Sequence, residues 1–300
     1  TLFDGPPQNT LLGRLEHRPS SMSEIPCLPI SFFKTHLIQS GRWEPQRLFS
    51  SSGTTGSVSS RHAVRDTAWY DRISRSTFES FYGSLGEFTI LALLPAYLER
   101  KGSSLVHMAQ RFIEASGKPD SGFFLHELEE LREKLLACRE KGRKTLLLGV
   151  SFALLDLAEQ FPMDLSGLIV METGGMKGRR REMTRPQLHG ILTKAFQLVE
   201  IHSEYGMTEL FSQAYSRGQG RFRPGASLRV LPRQITDPLS PERPGRTAAL
   251  NMIDLANLDT CSFIATDDLG RCYEDGSFEV LGRMDGSDIR GCNLMVADFA

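Results

Sequence analysis

Residues 144–161, KTLLLGVSFALLDLAEQF, decide the fold. The first seven form a nearly unbroken apolar run, the mark of a strand covered on both faces. Residues 152–161 then return apolar side chains at helical spacing, and Pro162 closes them. The same unit recurs downstream. Residues 168–171 (LIVM) read as a second buried strand. Residues 186–196 read as a helix with Pro186 in its first turn, where the missing N–H costs nothing. Residues 198–201 (LVEI) read as a third strand. Upstream, residues 125–141 place Leu128, Leu131, Leu135 and Leu136 at helical period, and Gly142 ends the pattern. Strand, helix, strand, helix, strand with short joins predicts an α/β fold: a mixed, mostly parallel sheet covered by helices.

After Glu209 the pattern changes. Short strand-like runs at 227–231, 248–254, 262–265 and 278–281 are separated by Pro, Gly and Asp, which predicts a smaller β-rich subdomain. At the other end, residues 1–25 hold Pro, Gly, Gln, Asn and Ser with few apolar clusters and read as a lead-in. Residues 26–30 (PCLPI) read as extended, because proline disfavours helix in itself and in its predecessor. The expected organisation is therefore a lead-in over 1–25, an α/β core over 26–214 and a β-rich subdomain over 215–300.

The sequence has 300 residues and a formal net charge of -1. That balance argues against a surface built to grip nucleic acid. Five cysteines, no secretory leader and no short metal-type spacing favour reduced thiols in a cytoplasmic setting over a disulfide framework or a zinc site. No apolar run approaches the length of about 18 residues that a membrane span needs. Residues 90–94 read as core, with the lining of an acyl tunnel as the alternative use.

Five segments carry groups suited to chemistry. Ser51, Ser52, Gly53, Thr54, Thr55 and Gly56 combine backbone freedom with hydroxyl and amide donors for phosphate. No lysine follows Gly56, so this is not a Walker A loop. Gly174 and Gly175 follow the second strand, where ligands of open α/β sheets gather, and Lys177 opens a basic run that suits a polyanion. The segment 202–209 (HSEYGMTE) offers the Tyr205 ring, Gly206, the Thr208 hydroxyl and the Glu209 carboxylate, a hard oxygen ligand for Mg²⁺. Asp268, in 266–271 (TDDLGR), reads as a turn carboxylate able to accept ribose hydroxyls. Arg283 and Cys292 fall in 281–292 (LGRMDGSDIRGC).

Singly these are weak signals; their order is stronger. SSGTTG, the GG turn, EYGMTEL, TDDLGR and LGRMDGSDIRG resemble the core motifs of adenylate-forming enzymes, the superfamily of acyl-CoA synthetases and luciferases. The phrases LLPAYLER, ETGGMKGRRREM and DIRGCNLMV are similar to its acyl-protein synthetase branch, the fatty-acid-activating component of bacterial bioluminescence, and to phenylacetate-CoA ligases. The resemblance implies ATP, Mg²⁺ and a carboxylic, fatty-type acid as ligands, with CoA or an acyl-accepting reductase or carrier as a further partner. It implies that Ser51 to Gly56 hold the β- and γ-phosphates, and that Gly174 and Gly175 lie along adenine and the acyl carboxylate. Tyr205 would stack on adenine beside Gly206, Thr208 would touch the α-phosphate and Glu209 would bind Mg²⁺. Asp268 would hold the ribose with Arg283 nearby, His62 and Lys177 would add phosphate contacts, and Cys292 would accept the acyl group.

Two departures stand out. Asp267 occupies the place of a usual glycine. The sequence also stops soon after Arg290 and Gly291, so the small mobile C-terminal domain of that superfamily, with its lysine, is expected to be absent. The competing readings are an aryl- or acyl-CoA ligase and a non-catalytic nucleotide- or RNA-binding module using Lys177 and Arg179 to Arg181.

Overall fold

The computed structural model describes residues 19–51, 58–95, 102–174 and 183–284. In its larger sheet, five strands run parallel: β4 (Thr89–Leu93), β5 (Gly122–Phe124), β6 (Thr145–Val150), β7 (Ile169–Thr173) and β8 (His202–Tyr205). Their spatial order is β5, β4, β6, β7, β8. The sheet then continues antiparallel through β9 (Ala214–Ser216), β10 (Arg221–Pro224), β14 (Phe278–Arg283), β13 (Phe263–Cys272), β12 (Ala248–Asp254) and β11 (Leu228–Arg233). A short strand β1 (Leu28–Pro29) adds to β13 in parallel. Among the described residues, twelve strands thus form one continuous mixed sheet, which crosses the boundary expected near residue 214. A separate hairpin pairs β2 (Arg47–Ser50) with β3 (Arg61–Val64).

Helices follow from local signals. α1 (Phe32–Thr35) is one turn. α2 (Thr67–Tyr82) starts where the Asp66 carboxylate accepts from the Ala68 N–H. α3 (Ser104–Ser116) is capped by Ser103 and stopped by Gly117 in the left-handed region. Such caps contribute about 1 kcal/mol each. α4 (Leu128–Glu140) and α5 (Ser151–Gln160) flank β6 in sequence. α6 (Arg185–Phe196) opens with a Thr184–Gln187 capping box and Pro186 in its first turn.

All six residues of β6 are buried, and each buried Leu there contributes roughly 1.5–3 kcal/mol. The residues read as a possible tunnel wall, Ile90 to Leu94, are fully buried core. The core has two parts. One surrounds the parallel strands and includes Tyr70, Phe78, Phe211 and Tyr215. The other surrounds the antiparallel strands and includes Tyr205, Leu210, Phe222 and Phe278.

Two elements differ from the sequence reading. The third parallel strand lies at His202–Tyr205 rather than 198–201, where Val199 is exposed. Its polar residues Ser203 and Glu204 are buried and bonded, so tertiary contacts override the apolar signal. Asp268 sits within a ten-residue strand rather than a turn, and β13 has a register irregularity beside it at Leu269 and Gly270.

Candidate active site

Strands β2 and β3 bring Ser51 and Ser60 near the turn that follows β8. Ser51 and Ser60 close the stem of this hairpin: the Ser51 N–H donates to the Ser60 carbonyl at 3.1 Å, and the Ser60 N–H donates to Ser51 Oγ at 2.9 Å. Ser60 also hydrogen-bonds the Glu209 carboxylate. The base of the Ser/Thr/Gly segment therefore stands against the proposed metal ligand. Ser52, Gly53, Thr54, Thr55 and Gly56 themselves lie outside the described residues, as do Gly175, Lys177 and Cys292.

His62, two residues beyond Ser60, ties the same hairpin to the turn after β8. Its Nδ1 is 2.7 Å from the Thr208 carbonyl oxygen, and its Nε2 lies 3.0 Å from Thr260 Oγ1. The ring is fully buried, between Phe33 and Phe211. Burial pushes its pKa down to about 4, against the opposing pull of the Thr208 and Asn257 oxygens. The Nδ1–H donates to the Thr208 carbonyl, while Nε2 also lies 3.0 Å from Asn257 Oδ1, the oxygen to which the Thr260 hydroxyl donates. His62 is thus a support and not the phosphate contact read from the sequence, because no face of it reaches the surface. Asn257 completes the support: its Nδ2 donates to the Glu209 carbonyl at 2.8 Å and to the Cys261 carbonyl at 3.1 Å. The carbonyls of Thr208 and Glu209 are each fixed by a buried side chain, which aims the two side chains without using them.

Glu209 is 5% exposed. Burial raises its pKa, while Ser60 and Arg283 lower it and Asp268 raises it further. A carboxylate held in this state gains from a nearby cation, and one protein carboxylate completed by water and phosphate is the usual Mg²⁺ arrangement. Among the described residues no group of three His, Cys, Asp or Glu is gathered for a metal.

Tyr205 and Asp268 face each other across the sheet. The Tyr205 hydroxyl donates to Asp268 Oδ2 at 2.6 Å, and its ring packs edge-on against Phe278 and Phe222. Asp268 and Arg283 are register partners on β13 and β14, with Arg283 Nε 3.4 Å from Asp268 Oδ1. Burial raises the Asp268 pKa, opposed by the Tyr205 hydrogen bond and Arg283. Arg283 is 60% exposed on its side chain, so its charge remains available to an incoming anion. Asp267 is balanced from inside: the guanidinium of Arg233 is fixed by the Thr266 carbonyl and Asn251 Oδ1, and Asp267 acts on its charge.

Gly174 ends β7 with φ of 70°, a conformation that favours glycine, and its carbonyl accepts from Ser151 Oγ at 2.7 Å. Behind it lie two buried carboxylates that the sequence reading left without roles. Glu172 is bonded by Arg185 Nε at 2.9 Å, with His189 at 3.6 Å. Burial pushes its pKa up, but His189 and Arg185 outweigh that and leave it lowered. Arg185 also donates to the Val280 carbonyl and lies over Phe222, so it joins the parallel and antiparallel parts of the sheet. Glu204 accepts from Thr173 Oγ1, and burial raises its pKa to about 7. The signal that could have found them is a carboxylate inside a buried strand, which requires a partner.

Ser51, Ser60, Thr208, Glu209, Tyr205, Asp268 and Arg283 therefore form one connected set at the carboxyl ends of the parallel strands. A cavity of about 550 Å³ lined by Phe81, Tyr215, Arg217, Arg221 and Arg223 opens at the other end of β9 and holds none of them.

Solved structures share this fold. ATP-bound MatB from Rhodopseudomonas palustris matches with a TM-score of 0.59 at 15% identity, over 81% of this chain and 49% of that one. A long-chain-fatty-acid–CoA ligase (FadD1) from Archaeoglobus fulgidus matches with a TM-score of 0.56 at 15% identity, over 79% and 51%. O-succinylbenzoate coenzyme A synthetase (MenE) from Bacillus subtilis, in complex with AMP, matches with a TM-score of 0.52 at 18% identity, over 79% and 49%. The chain thus spans about half the length of these proteins. No family model matches the sequence, and no curated protein matches it.

Proposed function

We propose that the chain activates a carboxylic acid with ATP to an acyl-adenylate and passes the acyl group to a thiol. The observation that carries this reading is the connection of the Ser51–Ser60 stem, Glu209 and the Tyr205–Asp268–Arg283 set at one end of the sheet. Those are the elements that a triphosphate, a divalent cation and a ribose would each need.

The chemistry sets two anions against each other. A carboxylate oxygen attacks the α-phosphorus, an anhydride bond forms, the bond to the β-phosphate oxygen breaks and pyrophosphate leaves. The protein must screen that repulsion and hold the groups in line. In this reading Ser51 to Gly56 and Lys177 hold the β- and γ-phosphates, and Thr208 donates to the α-phosphate. Asp268 accepts the ribose hydroxyls, Tyr205 and Gly206 border the adenine with Gly174 and Gly175, and Arg283 offsets phosphate charge. Glu209 would hold Mg²⁺, which neutralises phosphate charge when bound.

The acyl group then leaves AMP for a thiol. Cys292 is the acceptor proposed within this chain. The cysteines elsewhere are poorly suited: Cys138 and Cys272 are buried, and burial pushes Cys27 up to about 11 and raises Cys261 as well. A second reading, CoA as acceptor, is favoured by the acid–CoA ligases among the proteins that share the fold. Pyrophosphate release with a panel of fatty acids, and products compared with and without CoA, tests both. ATP binding without pyrophosphate release from any acid would return the chain to the nucleotide-binding reading.

A further inference from the structure

His107 is a buried titratable group that the adenylation chemistry does not use. It sits in the first turn of α3, with its side chain 3% exposed and its ring packed near Phe49 and Tyr70. Both of its nitrogens are engaged. Nε2 lies 2.6 Å from Asp71 Oδ1 on α2, and Nδ1 lies 2.8 Å from Arg47 Nη1 on β2. A guanidinium has no acceptor, so Nδ1 accepts from Arg47 and the ring proton stays on Nε2, where it donates to Asp71. Arg111 Nε holds the other Asp71 oxygen at 3.2 Å. Burial and the charges of Arg47 and Arg111 press the ring toward its neutral form, against the pull of Asp71.

A second contact joins the same two elements. The Ser51 N–H points to Ser60 on β3, so the Ser50 N–H points to the other edge of β2. There it donates to the Gly102 carbonyl at 2.8 Å, just before α3 begins. Gly102 has φ of 96°, and a Cβ on it would lie 2.8 Å from Ser50 Oγ, so the approach requires glycine. The lead into α3 and its first turn therefore hold β2 at Arg47 and at Ser50, and Ser51 comes next. Arg47 is exposed and, among the described residues, forms no ion pair. Its hydrogen bond goes to a buried imidazole, which fixes the strand rather than balancing a charge. His62 ties β3 to the turn after β8, and His107 ties β2 to α2 and α3.

We infer that His107 is a positioning residue for nucleotide binding: through Arg47 it holds β2, and with it Ser51 at the start of the Ser/Thr/Gly segment, where the triphosphate would be received. The inference rests on the adenylation reading and adds a residue outside its site. A segment held in place before the ligand arrives loses less freedom on binding. The contribution therefore falls on ATP affinity rather than on the chemical step.

The test measures KM for ATP and kcat in pyrophosphate exchange for Arg47→Met, His107→Leu and His107→Gln, with urea unfolding of each. Arg47→Met changes an exposed residue and should stay folded. Arg47→Met and His107→Leu should each raise KM for ATP about tenfold with kcat little changed, the effect of losing one charge-assisted hydrogen bond. His107→Gln should keep the wild-type KM, because its amide offers one acceptor and one donor as the neutral ring does. A role in stability alone would lower the urea midpoint and leave KM unchanged. Wild-type KM in folded Arg47→Met would overturn the inference while leaving adenylation standing, as would a KM in His107→Gln raised as far as in His107→Leu. No exchange by the wild type with any acid would bring down the adenylation reading and this inference together.

Discussion

His62 Nδ1 lies 2.7 Å from the carbonyl oxygen of Thr208, so the strand returning from the Ser/Thr/Gly segment is tied to the turn that carries Glu209. The bond links residues 146 positions apart in sequence. It is made by a ring with no exposure to solvent. One side chain thereby ties β3 to the turn between Tyr205 and Glu209.

Replacing that ring should separate positioning from folding. His62→Gln keeps a donor of similar reach and should retain the fold, with loss mainly in kcat. His62→Ala adds a cavity and unpaired partners and should cost about 2–5 kcal/mol in urea unfolding. Full kcat in both variants would show that the tie does not matter to the reaction.

His62 and Glu204 make opposing contributions to the pH dependence of stability, and His202, whose pKa burial also depresses to about 4, acts in the same sense as His62. His62 has a folded pKa depressed to about 4. Its contribution is complete above about 6.5, where the unfolded ring is neutral too, and is lost as pH falls toward 4. Glu204 has a folded pKa raised to about 7. Its contribution is complete below about 4.5 and is lost as pH rises through 7. Each amounts to roughly 3 kcal/mol, so the wild-type profile between pH 4.5 and 6.5 should be nearly flat with respect to this pair. Relative to wild type, the slope with rising pH should become more negative in His62→Gln and more positive in Glu204→Gln, with His202 adding the same rise to all three proteins. Parallel profiles for the two variants would contradict the assignment.

Asp268→Asn keeps an acceptor for the Tyr205 hydroxyl but removes the charge facing Arg283. The fold should persist, and KM for ATP should rise about tenfold, the effect of weakening a charge-assisted hydrogen bond. An unchanged KM would remove Asp268 from the nucleotide site.

Cys292→Ser should still form acyl-AMP and should lose covalent self-acylation. Intact-mass detection of a hydroxylamine-labile acyl adduct on the variant would move the acceptor role elsewhere.

Much of the framework was legible because a few segments carry unmixed signals. The apolar run of β6, the Pro186 start of α6 and the largely apolar run of β12 each fix an element by local chemistry. β8 was displaced because Ser203 and Glu204 look like surface residues, and only their partners across the sheet make them interior. β13 looked like a turn because Asp267, Asp268 and Gly270 are turn residues, whereas cross-strand pairing extends it through them. α2 and α3 went unread, and with them the aromatic wall behind Tyr215. Motif order singled out Tyr205, Glu209 and Asp268, which the structure brings together, yet it named none of their supports. His62, Asn257 and Arg233 act through contacts with residues distant in sequence, which no local pattern encodes.

The central claim is most directly tested by exchange of labelled pyrophosphate into ATP across a set of carboxylic acids, with wild-type protein and Glu209→Gln. The account predicts acid-dependent exchange by the wild type and a loss of about a hundredfold or more in a variant that remains folded. No exchange with any acid, or wild-type exchange by Glu209→Gln, would contradict it.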